Sequence, residues 1–149
     1  LNMARSAFLE ADQLFKRKAD STPLFDGVLE ILQTLSRENV RMGIISSDSP
    51  ENVQDFVDCY HLGDLLPVAL GSDLNLSKPD PRLLHQACHR LEVEPEKTIV
   101  IGDSLTDIAI AQAGNTMGCI CVTWGWTDAS ILREADSLIQ HFHEVQISA

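Results

Sequence analysis

The chain has 149 residues, a length that suits one compact domain able to bury a core. Its 44% hydrophobic and 22% charged residues are the balance of a soluble globular protein and argue against disorder. Lys and Arg number 11 against 22 Asp and Glu, and a formal charge of −11 repels nucleic acid, with Lys16-Arg17-Lys18 as the lone basic cluster. No nucleic-acid partner is expected. Nor is a membrane partner, since no stretch approaches the roughly 18 apolar residues of a span. Leu1–Glu10 does not read as a signal peptide either, because Arg5 and Glu10 interrupt it. Cys59, Cys88, Cys119 and Cys121 are too scattered for a disulfide framework, so a reducing, cytoplasmic setting is expected.

In chain order, Met3, Ala4, Ala7, Phe8, Ala11, Leu14 and Phe15 recur at helical spacing and predict a helix to about Lys18. Thr22-Pro23 and Asp26-Gly27 break it and start a second helix, with Val28, Leu29, Ile31, Leu32 and Leu35 as its apolar stripe. Arg41-Met42-Gly43-Ile44-Ile45-Ser46 reads as a short buried strand. Ser49-Pro50 opens a helix to about Tyr60, and Pro67–Leu70 forms a short strand. Asp80-Pro81 opens a helix to about Leu91, and Thr98–Gly102 is the clearest strand in the chain. Ser104–Ala113 is a helix, with Gly114 at the position that favours a left-handed backbone. Cys119–Thr123 is a strand, Asp128–Ala135 a helix and Ser137–Gln140 a last strand. Cys119 and Cys121 then share one face as small apolar side chains. The alternation implies an α/β fold, a parallel sheet with helices on both faces.

In such sheets chemistry collects beyond the carboxyl ends of the strands. Three ends carry polar groups there: Ser46 and Ser47, then Ser77-Lys78-Pro79-Asp80-Pro81, then Asp103-Ser104-Leu105-Thr106-Asp107. Asp103 and Asp107, four apart at a strand-to-helix turn beside Gly102, can face one point and hold a hard cation such as Mg²⁺. Each piece has a plain structural reading: Asp103 as a helix cap, Lys78 as a solvated lysine, the two serines as a turn. Together they fit a phosphate site, in which hydroxyl and N–H groups hold phosphoryl oxygens and cations neutralise them.

Ile44-Ile45-Ser46, Ser77-Lys78-Pro79-Asp80-Pro81 and Val100-Ile101-Gly102-Asp103-Ser104-Leu105-Thr106-Asp107 resemble the second, third and fourth motifs of haloacid dehalogenase-like (HAD) hydrolases. Phe25-Asp26-Gly27-Val28, Gln112-Ala113-Gly114 and Thr123-Trp124-Gly125 resemble landmarks of the phosphoglycolate-phosphatase-like branch. The resemblance runs from about Thr22 to Leu138. It implies a three-layer Rossmann-like core over residues 21–149, preceded by the last helix of a helical cap at 1–20. It also implies a Mg²⁺-dependent phosphatase acting on a small phosphorylated metabolite through a phospho-aspartyl intermediate. Ser46 would bind the phosphoryl group, with Ser47 beside it, and Lys78 would stabilise nucleophile and intermediate. Asp103 would ligate Mg²⁺, with Asp107 as ligand or support. On this reading Lys78→Ala abolishes activity without unfolding the protein.

The family's first motif, an apolar strand ending in Asp-x-Asp with the nucleophile, is not in this chain. Leu24-Phe25-Asp26-Gly27-Val28 resembles it only superficially, because Val28 stands where the second Asp belongs and Pro23 breaks any strand before it. In the family that strand lies between the strands matching Met42–Ser46 and Thr98–Gly102. Its loss would leave two apolar edges. Three situations follow: a segment of a longer protein, direct pairing of the two strands, or a strand supplied by another chain. The first is favoured. The alternative function is a catalytically silent HAD-like regulatory or binding domain, or an inactive fragment. A response-regulator receiver is set aside because the order here is Ser, Lys, Asp, and a nucleotide-binding NTPase because no G-x-x-x-x-G-K-[ST] loop occurs. His85 and His89 mimic a zincin pair but lack its Glu, and Trp124 and Trp126 read as packing or as the site entrance.

Overall fold

The computed structural model describes residues 23–125 and 128–146. The expected helix over Leu1–Lys18, the cap segment at 1–20 and Trp126 lie outside the described residues. Helix α1 (Val28–Arg37) leads to β1 (Gly43–Ile45), α2 (Pro50–Cys59), β2 (Val68–Leu70) and α3 (Pro81–Leu91). Then come β3 (Ile99–Gly102), α4 (Leu105–Ala113), β4 (Gly118–Val122) and β5 (Ser137–Ile139). The helix starts follow from their caps. Ser49 Oγ accepts from Asn52 N, the Asp80 side chain accepts from Arg82 N, and Pro50 and Pro81 sit where a missing N–H costs nothing.

Among the described residues all strand pairings are parallel, and they form two separate sheets. Gly43–Ile45 of β1 runs beside Val68–Leu70 of β2, while β4 lies between β3 and β5. Direct pairing of β1 with β3, one of the three situations above, is therefore not what the chain adopts. The two sheets share one helical layer: α3 packs on β1 and β2, α4 packs on β3 and β4, and the two helices pack on each other. The core between them joins Leu70, Leu83, Ala87, Val100, Ile110 and Cys119. On the other face of β1 and β2, Ile44 and Ala69 meet a second cluster built on Val57, Leu62 and Leu66. Across β3 the same alternation buries Val100 at 7% exposure but leaves Ile99 and Ile101 at 47% and 41%.

Two expected elements differ. The Asp128–Ala135 helix is instead a single 3₁₀ turn, Ala129–Ile131. Asp128 accepts from Ser130 N at 2.8 Å, which tightens the chain locally, and fully buried Leu132 pins it one residue later. Gly114 does end α4, but with φ −82°, and Asn115 takes the left-handed conformation with φ 56°. Gly114 is there for space: a Cβ on it would lie 2.2 Å from Leu84 Cδ2 of α3.

Cys119 and Cys121 face the same side, their sulfurs 3.9 Å apart, and both are buried with Cys88, whereas Cys59 is exposed. Burial, reinforced by Cys121, pushes the Cys119 thiol up to about 12. His85 sits with Nε2 3.2 Å from Gly114 O, a helix-end contact, and Trp124 packs edge-on against Phe142 at 4.9 Å. No helix among the described residues is long and apolar enough to cross a membrane.

Candidate active site

The carboxyl ends of β1, β2 and β3 bring the expected residues into one hydrogen-bonded chain. Ser46 follows β1, and its N–H donates to Leu70 O, locking it to the end of β2. Its Oγ accepts from Asp48 N at 3.1 Å. Asp48 does not cap α2, a role Ser49 takes; its Oδ1 accepts from Ser49 N and Asn52 Nδ2, both at 2.8 Å. Ser47 is exposed on the same turn. Asn52, 2% exposed, keeps Oδ1 without a hydrogen-bond partner.

The loop after β2 delivers Lys78 to Asp107, which follows β3, in a buried ion pair between Nζ and Oδ1. The side chains are 9% and 7% exposed, and the contact bridges the two sheets at their carboxyl ends. The other oxygen of Asp107, Oδ2, accepts from Asp103 N at 3.1 Å, Ser104 N at 3.0 Å and Ser104 Oγ at 2.6 Å. Ser104, not Asp103, caps α4, and Asp107 completes its capping box. Both carboxylate oxygens of Asp107 are thus engaged within the protein. Gly102 makes this possible, since a Cβ there would lie 2.2 Å from Asp107 Cγ.

Asp103 is half-buried beside the loop after β4, where a Cβ on Gly125 would come within 2.2 Å of Asp103 Oδ2. Among the described residues, no group of three or more His, Cys, Asp or Glu converges as a metal cage. Asp103 fits as one oxygen ligand for a hard cation, and Asp107 fits as its support.

Ser72 went unrecognised at the level of sequence. It is 4% exposed, and its Oγ donates to Ser46 O at 2.7 Å. Gly71-Ser72 just past a strand was the available signal, but a serine in a loop rich in Ser, Asn and Asp carries no distinguishing pattern.

Parallel strands with Ser46, Lys78, Asp103 and Asp107 beyond their carboxyl ends accord with a HAD-type core, and the chain belongs to this family: the model for haloacid dehalogenase-like hydrolases matches residues 6–121. Among its relatives, validoxylamine A 7'-phosphate phosphatase of Streptomyces hygroscopicus subsp. limoneus is 34% identical over 125 residues, covering 81% of this chain and 56% of the relative. Phosphoglycolate phosphatase 1 of Pseudomonas aeruginosa is 31% identical over 120 residues, covering 79% and 44%. The structure of a HAD hydrolase, family IA, variant 3, from Entamoeba histolytica superposes with a TM-score of 0.84 at 23% identity, covering 98% of this chain and 68% of that one. The chain spans about half the length of the curated relatives it matches.

Proposed function

We propose that this chain forms the phosphate-binding and electrostatic part of a HAD-type phosphatase acting on a small phosphorylated metabolite in the cytoplasm. The observation that carries the reading is the Lys78–Asp107 pair, which joins the loops after β2 and β3 and so links the two sheets at their carboxyl ends. The nucleophilic Asp would come from an apolar strand outside the described residues, seated between β1 and β3. It would attack phosphorus and break the ester P–O bond, releasing the substrate's alcohol and giving a phospho-aspartyl intermediate, which water would then hydrolyse to inorganic phosphate and the free Asp. That strand is either a segment of a longer protein or one lent by a second chain.

Within this reading the Ser46 hydroxyl and the N–H groups of its turn hold phosphoryl oxygens, with Ser47 at the rim. Asp107 fixes the Lys78 ammonium at the carboxyl ends of the strands. Asp107 is a positioning residue for Lys78 and for the Asp103 backbone. Asp103 is the carboxylate this chain would offer to Mg²⁺, the rest of the shell coming from water and from the first motif. Bound there, Mg²⁺ would lower the charge repulsion that a phosphate dianion meets. That need is physical: Lys78, Asp103 and Asp107 together carry one more negative than positive charge, in a chain of net charge −11. Relatives named as phosphoglycolate phosphatases make 2-phosphoglycolate the first substrate to assay.

The absence of any Asp-x-Asp from the sequence favours one second reading, a silent phosphate-binding domain. Titration with inorganic phosphate, followed by ³¹P line broadening, separates the outcomes. Saturable binding in Mg²⁺ that is abolished by EDTA and weakened at least tenfold in Asp103→Asn supports the site. Phosphate released from 2-phosphoglycolate once a peptide carrying the first motif is added makes it a phosphatase. Binding without any release leaves the silent domain, and no binding by the folded chain in Mg²⁺ rejects both.

A further inference from the structure

The loop that carries Lys78 is closed at both ends by one buried hydroxyl. Ser72 Oγ donates to Ser46 O at 2.7 Å and accepts from Lys78 N at 3.4 Å, while Ser72 N donates to Asp48 O at 2.6 Å. Between Ser72 and Lys78 the chain folds on itself: Asp73 Oδ1 accepts from Asn75 N at 2.7 Å and Leu76 N at 2.9 Å, and Asp73 N donates to Leu76 O. Gly71 presses the start of the loop against the α2 turn so closely that a Cβ on it would lie 2.3 Å from Pro50 N. The loop after β2 is therefore clasped to the loop after β1 through Ser72, and Lys78 leaves the clasp aimed at Asp107.

We infer that Ser72 is a positioning residue, which sets the Lys78 ammonium relative to the Ser46 turn by tying the two loops together. This rests on the reading of Ser46 and Lys78 as one site, and it adds the element that holds them in register. The physical need is specific. Lys78 has four rotatable side-chain bonds and gains precision only if its backbone is fixed. The Asp107 contact fixes the far end of the side chain, and Ser72 fixes the near end. The hydroxyl also satisfies the carbonyl of half-buried Ser46, so its loss removes that acceptor's partner at the turn that would grip phosphate.

The test reads the geometry of Lys78 without any ligand. Intact protein is pulsed with acetic anhydride, and acetylation of Lys78 and of exposed Lys97 is compared by peptide mass spectrometry. In parallel, a thiol reagent reports whether Cys88, Cys119 and Cys121 stay buried. Lys78 is expected to label at least about tenfold more slowly than Lys97 in the wild type, because its pair with Asp107 must open first. Ser72→Ala should raise Lys78 labelling several-fold with the three thiols still protected, and Ser72→Thr, which keeps the hydroxyl, should restore protection. Unchanged protection in Ser72→Ala overturns the inference, as does wild-type Lys78 labelling at the rate of Lys97. Exposure of the thiols in Ser72→Ala also overturns it, by assigning Ser72 to the fold as a whole. The phosphate titration above stands apart: its failure would reject the phosphatase reading while the labelling pattern still judged the clasp.

Discussion

Lys78 holds a full charge with only 9% of its side chain exposed, and Asp107 answers it with 7%. Burying two charges costs several kcal/mol each, and their attraction offsets this only while both are present. Lys78→Ala is therefore expected to lower unfolding free energy by about 3–5 kcal/mol in urea titrations. The expected loss of activity in this variant is thus joined by an expected loss of stability. Lys78→Met with Asp107→Asn, which removes both charges, should recover most of that loss, whereas a cost under about 1 kcal/mol for Lys78→Ala would mark the pair as solvated. The types and order of these residues were readable, because Ser, Lys and Asp each follow an apolar run. Their partners were not. Lys78 and Asp107 stand 29 positions apart, and only the packing of α3 against α4 brings their loops together.

At the scale of elements, two helix starts were plain in the sequence because caps act over three or four residues, Ser49 before Pro50 and Asp80 before Pro81, whereas at α4 the sequence offered Asp103 and the structure uses Ser104 with Asp107. Helix ends depended on neighbours. Gly114 reads locally as a left-handed cap, yet its backbone stays right-handed and the missing side chain makes room for Leu84. Gly114→Ala should then destabilise the protein by about 1–3 kcal/mol through overpacking, measurable by thermal denaturation. Trimming the partner with Leu84→Ala in the same chain should make the Gly114→Ala change close to neutral. An equal cost in both backgrounds would return the glycine to a purely conformational role. The same limit explains Asp128–Ala135, whose spacing suits a helix but whose length is under three turns. There a side-chain hydrogen bond from Ser130 N to Asp128 and the burial of Leu132 outweigh helix propagation.

For the whole molecule, the inner edges of β1 and β3 are the decisive feature, since each pairs on one side only among the described residues. Each open edge presents backbone N–H and C=O groups to a further strand, while on the face of β3 opposite Val100 the side chains of Ile99 and Ile101 stay 47% and 41% exposed. A peptide with a short apolar run ending in Asp-x-Asp should raise the melting temperature in a dose-dependent way, and the same peptide with proline at its centre should not. Equal responses to both peptides would show that the gap does not select a strand. By itself the sequence determined the α/β alternation, the caps of α2 and α3, and which strand ends carry polar chemistry, while a missing strand between β1 and β3 was implied only by the family resemblance. The former are consequences of local periodicity and of residue type. The tertiary structure alone decided that Asp107 turns inward to hold Lys78, that Ser72 ties two loops, and that Gly114 serves packing. Each of these depends on which side chains meet across elements far apart in the chain, where burial and hydrogen-bond satisfaction, not local propensity, select the geometry.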